Sequence, residues 1–243
     1  MRPKSLILIL SLLFVFGYGP RVEAGFQDWL QEAVKKIGGE KGLSEDEIVN
    51  GLKQALEVGT SSAVRKVSAF DGYYKNPKIR IPLPENVEKV EKLLRATGFG
   101  SQVDNFELSM NRAAERAAPE AKNIFWDAIK QMTFTDARQI LDGADDAATK
   151  YFEGKTSGRL QQIFKPITHQ AMSEVGVTRY YQSIDDKIKT IPFADRLHFD
   201  LDQYVTDKAL SGLYVMLAEE EKKIRQDPAA RVTDLLKKVF GSK

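Results

Sequence analysis

Eight apolar residues near the C-terminus, Leu201, Tyr204, Val205, Ala209, Leu213, Met216, Leu217 and Ile224, hold one face of a helix for about six turns. A stripe of that length constrains the chain more than any other feature, because it must be buried along most of a domain's width. The same helical spacing recurs upstream. Phe26, Trp29, Leu30, Ala33, Val34 and Ile37 form one stripe, and Gly38-Gly39 ends it. Ser44 and Glu47 have the spacing of a capping box, and the apolar run that follows reaches about Val67. Val87, Val90, Leu93 and Leu94 mark a further helix, closed by Gly98-Phe99-Gly100. Phe106, Met110, Ala113, Ala114 and Ala117 give a small-residue face suited to close packing, and Pro119 reads as the first turn of the next helix.

Short helices are then predicted after Thr133 or Thr135, over 147–152, before and after Pro166, and over 177–188; a final one follows Asp227-Pro228. Glycine and proline punctuate these segments, no repeat of fixed period appears, and no low-complexity linker divides the chain. The pattern predicts an all-α fold, a single domain over 25–243 of about nine to eleven helices.

One segment breaks the period. Residues 71–84 read DGYYKNPKIRIPLP, with turn pairs at Asp71-Gly72 and Asn76-Pro77 and alternation at Ile79-Arg80-Ile81. This predicts a Pro-rich extended arm, with room for a small β-ribbon. Tyr73, Tyr74, Lys78 and Arg80 on it are candidate binding residues for an anionic lipid, glycan or peptide. Alternatively the arm straps across the bundle and buries Ile79, Ile81 and Leu83.

The N-terminus reads as an export signal. Arg2 and Lys4 precede an apolar run of eleven residues, Leu6 to Phe16. Val22-Glu23-Ala24 places small residues before a cut at Gly25. The run is too short to span a bilayer, so residues 1–24 are expected to be a signal peptide and the mature chain to lack a transmembrane span. The whole chain has 36 basic and 34 acidic residues; after such a cut 33 of each remain. The basic surplus therefore belongs to the signal, and nucleic-acid binding loses its electrostatic argument. The chain has no cysteine, which excludes thiol catalysis and disulfides.

Chemistry is sparsely marked. With only two histidines, His169 and His198, a structural zinc site is not expected. His198, Asp200 and Asp202 would share a face if extended and are the candidate metal ligands, although Asp200 also reads as an N-cap. The Asp142–Thr149 stretch reads as capping of the next helix, and Glu219-Glu220-Glu221-Lys222-Lys223 as a solvated helix segment. Asn111, Arg112 and Glu115 are helix neighbours, and Asn111 and Arg112 join the candidate binding residues. Glu115 is the candidate acid for a wall-cleaving enzyme, with a polar network between helices as the alternative. No phosphate loop or serine-nucleophile motif is present, and no cofactor is implied.

DGYYKNPKIRIPLPE, MNRAAERAAPEA, AATKYF and LAEEEKKIRQDPAARVTDLLKKVFG together resemble the bacterial domain-of-unknown-function family 4197, over about 43–241. The resemblance implies an exported, single, mainly helical domain. It carries no activity and no site residues. The function expected is a non-enzymatic binding or interaction module of the periplasm or cell envelope, with an envelope protein, lipid or glycan as partner. The alternatives are a peptidoglycan hydrolase with Glu115 as acid and a structural scaffold or assembly factor.

Overall fold

The structure is a computed structural model, described here over residues 44–84, 88–174 and 200–226, without the side chains of 88–90. All of these lie in one compact unit, Lys41–Lys243. The predicted signal, the stripe at 26–37 and the helices expected over 177–188 and 228–240 lie outside the described residues.

Within them the regular structure is entirely helical. The α-helices are α1 (Glu45–Ser68), α2 (Glu88–Ala96), α3 (Gly100–Ala117), α4 (Ala121–Gln131), α5 (Phe134–Asp142), α6 (Ala147–Glu174) and α7 (Leu201–Gln226), with a 3-10 turn at Ala118–Glu120. Local chemistry explains several starts. At α1 the capping box forms as expected: the Glu47 amide donates to Ser44 Oγ at 3.3 Å, and the Ser44 amide donates back to Glu47 Oε2 at 2.7 Å. Thr133 and Asp136 make the same reciprocal pair at α5. Pro119 stands in the 3-10 turn, where its missing amide leaves no helical bond unmade.

The helices are fewer than nine to eleven among the described residues. Part of the difference is a fusion: the pieces expected on either side of Pro166 are one helix, α6, with Pro166 inside it. Proline costs such a helix about 3 kcal/mol locally. Burial of Phe152, Leu160, Phe164, Ala171 and Met172 along α6 offsets that cost.

Helices α3, α6, α7 and α1 form the centre, with α6 packed along both α3 and α7, and α7 also along α1. Their shared core includes Met110, Phe125, Phe152, Leu160, Phe164 and Leu213. Phe125 meets Phe152 edge-on, with ring centroids 5.2 Å apart. Polar bridges also cross this core, from Thr168 to Thr206 at 3.1 Å and from Thr156 to Tyr214 at 3.0 Å.

The Glu219–Lys223 run is a solvated face only in part: Lys222 and Lys223 are exposed, and Lys223 pairs with Glu220 three residues back at 3.1 Å, but Glu221 is buried. The Glu221 carboxylate is buried at the first turn of α6, where it accepts from the amides of Ala148 at 2.9 Å and Thr149 at 2.8 Å and from Thr149 Oγ1 at 2.8 Å. It caps α6 from another helix, meeting the positive end of the helix dipole. Arg225, one turn on, donates to Glu221 at 2.8 Å and to the Ile140 carbonyl at 2.7 Å. One pair on α7 thus satisfies the start of α6 and the end of α5. Asp145 and Asp146, expected to cap, instead accept from Gln226 at 2.7 Å and pair with Lys150 at 2.9 Å.

The segment 71–84 is a strap, and no strand appears among the described residues. Its turns close locally: the Lys75 amide bonds Asp71 O at 3.1 Å, and the Arg80 amide bonds Asn76 O at 2.8 Å. Of the three residues the strap alternative buries, Ile79 and Ile81 are buried and Leu83 is half-buried against the core; Tyr73 is buried as well. Gly212 on α7 makes room for it, because a Cβ there would lie 2.6 Å from the Tyr73 ring and 3.1 Å from Ile79 Cβ. We expect Gly212→Ala to destabilise the fold by about 1–3 kcal/mol through overpacking. Chemical denaturation checks this, with a lowered midpoint and an unchanged slope as the expected result.

Candidate functional site

Glu107, Asn111 and Glu115 are spaced by four on α3, so their side chains share one face. All three are buried, and each holds a different part of the strap. Asn111 Oδ1 accepts from the Ile81 amide at 2.9 Å, while its Nδ2 donates to the Ile81 carbonyl at 2.9 Å and to the Glu107 carbonyl at 2.8 Å. The Asn111 amide therefore pairs with the strap as a neighbouring strand would, without a strand being present. Glu115 Oε1 accepts from the amides of Tyr73 at 3.1 Å and Tyr74 at 3.3 Å. Glu115 Oε2 accepts from Arg112 at 2.6 Å, and Arg112 also reaches Asp71 at 2.5 Å. Glu107 pairs with Arg80 at 2.6 Å, which holds the Arg80 guanidinium above its ordinary pKa.

Helix α7 supplies the opposite wall. The Tyr73 hydroxyl donates to the Ala209 carbonyl at 2.6 Å, and burial pushes that hydroxyl's pKa up. The Tyr204 hydroxyl donates to Pro82 O at 2.9 Å. Lys78 pairs with Glu219. The strap is thus anchored from beneath by α3 and α7 along nearly its whole length.

The strap begins with a forced turn. Asp71 has φ +65°, a left-handed conformation that Asp tolerates better than most residues. Its carboxylate is gripped by Lys75 at 2.7 Å and by Arg112, and the Lys75 bond foremost, with Arg112 beside it, lowers its pKa. Gly72 follows where any Cβ would lie 2.4 Å from the Lys66 carbonyl. The turn directs Phe70 outward, leaving it 80% exposed. The Arg112 guanidinium covers one side of that ring, 3.7 Å from its centroid. Arg80 stacks on Tyr74 in the same manner at 4.7 Å.

The candidate binding residues Tyr73, Tyr74, Lys78, Arg80, Asn111 and Arg112 therefore do converge, but in differing roles. Tyr73 and Asn111 are interior fasteners. Tyr74, Lys78 and Arg80 reach the outer side of the strap. Two participants, Phe70 and Glu107, carry no mark among the motifs and turn pairs of the sequence, and Asp71 is marked there only as a turn residue. The four-residue spacing from Glu107 through Asn111 to Glu115 on an otherwise Ala/Met-rich helix face was the available signal.

The candidate metal ligands do not assemble among the described residues. Asp200 caps α7, accepting from the Gln203 amide at 2.9 Å, and pairs with Lys165 at 3.0 Å. Asp202 bonds His169 Nδ1 at 2.7 Å, and the two line an open groove of about 530 Å³. His198 lies outside the described residues. No group of three or more His, Asp or Glu suited to a metal occurs among those described.

No described helix is long and apolar enough to cross a membrane. Comparison with curated proteins and with solved structures gives no significant match. A family model does match, over residues 42–241, and its description reads protein of unknown function. That span contains α1 to α7 and the whole strap, and with it the chain belongs to the DUF4197 family.

Proposed function

We propose that the chain is a non-enzymatic binding or interaction module of the bacterial cell envelope, exported by the N-terminal signal and cut near Ala24-Gly25. Its working surface is the outer side of the strap. The observation that carries this reading is Phe70, held 80% exposed by a turn whose every component is fastened. An exposed aromatic on a flexible loop carries little meaning, because it can fold back. Here Asp71, Gly72 and Arg112 fix its direction, so the contact surface is set before a partner arrives.

The hydrolase alternative asks Glu115 to hand a proton to a substrate. Both Glu115 oxygens already accept, from two strap amides and from Arg112, and this supports a framing role. A photo-reactive phenylalanine analogue at position 70, introduced in the native host, tests the proposal. A specific adduct at 70, with none at exposed Arg138 on α5, is the expected result. Equal or absent adducts at the two positions would overturn it.

A further inference from the structure

We infer that the partner of the strap's outer face is an anionic lipid surface, into which Phe70 inserts while the surrounding cations meet the headgroups. The inference rests on the strap being the working surface and names what it meets. Its ground is the direction of the ion pairs. Lys66–Glu220, Lys75–Asp71, Lys78–Glu219 and Arg80–Glu107 all have the carboxylate inside and the cation outside. The four cations are 41–73% exposed, whereas their carboxylates are 12–28% exposed. Counted residue by residue this patch is near neutral. As met from solvent, it is positive.

Arg65, exposed on the last turn of α1, adds to the same end of the molecule. Nearest the protruding ring are Arg112, which covers one side of it, Lys75, which shares Asp71 with Arg112, and Lys66, whose carbonyl lies against Gly72 in the same turn. That combination suits a bilayer interface, where the ring enters the headgroup boundary and lysine and arginine stay at the charged surface. The paired carboxylates stay beneath and keep the cations in place. A protein partner would need a wider apolar contact than this single ring provides.

The test uses Phe70→Trp in the full chain with vesicles of phosphatidylglycerol in phosphatidylcholine, and with phosphatidylcholine alone. Doxyl-labelled lipids serve as quenchers. Trp29, Trp126 and the Leu6–Phe16 run are common to all variants, so only differences from the parent chain are read. The expected result is a blue-shifted indole quenched by shallow labels on the anionic vesicles alone, with the effect lost in high salt. Lys75→Ser and Lys78→Ser should each weaken partition roughly fivefold, and Phe70→Ser by a similar factor. An indole that stays in water on anionic vesicles overturns the lipid assignment. If position 70 still forms an adduct with a protein in the host, the interaction reading stands without the lipid; if it forms none, both fall.

Discussion

Glu221→Ala should lower stability by about 3–5 kcal/mol, a larger loss than any substitution of an exposed charge in this protein. The carboxylate is 7% exposed, and it takes two amides and a hydroxyl at the start of α6 as well as Arg225. Removing it strands the Ala148 and Thr149 donors and takes the Glu221 carboxylate away from the half-buried Arg225 guanidinium. For a chain of this size the loss corresponds to roughly 10 °C in melting temperature. Glu221→Gln should recover only part of it, because it keeps an acceptor for the helix but not the charge. Thermal unfolding of the two variants checks this. Equal, small losses in both would mean that Glu221 is a surface residue after all.

Asn111→Ala is the second large effect, expected at about 3–5 kcal/mol. Three hydrogen bonds go at once, and both polar groups of the buried Ile81 peptide lose their partner. Asn111→Asp should be no milder. It keeps the acceptor for the Ile81 amide, loses both donors, and puts a third carboxylate on a face already holding Glu107 and Glu115. Denaturant titration of the pair tests the assignment. A loss under about 1 kcal/mol in Asn111→Ala would show that the strap is held by its other contacts and not by Asn111.

The helical class was legible because period and punctuation agreed. The Ser44 box, the Thr133 start and the Leu201 stripe all mark real elements. The count failed where long-range packing overrode a local rule, as at Pro166, which is tolerated because α6 is buried along both α3 and α7. The strap was legible as an irregular arm with three apolar residues in need of cover. Its fastening was not, because a side chain standing in for a strand leaves no periodic trace. Asn111 looks like any helix polar residue until Ile81 is seen opposite it. Glu221 misled for a related reason: three consecutive glutamates read as surface, yet each has its own distant partner, at the start of α6, at Lys66 and at Lys78. Phe70 escaped notice because exposure follows from the Asp71 turn, and a single Asp-Gly pair does not reveal which way the preceding ring will point.

Everything proposed for Phe70 depends on a fastened strap, and amide hydrogen exchange along residues 71–84 measures that fastening. The amides of Tyr73, Tyr74 and Ile81 donate to Glu115 and Asn111, not to regular secondary structure. We predict that the Tyr73 and Ile81 amides exchange as slowly as the interior of α3, and that Asn111→Ala releases Ile81 selectively. Exchange of these amides at the rate of an open loop, while α3 remains protected, would mean that the strap is not fastened and that Phe70 has no fixed direction.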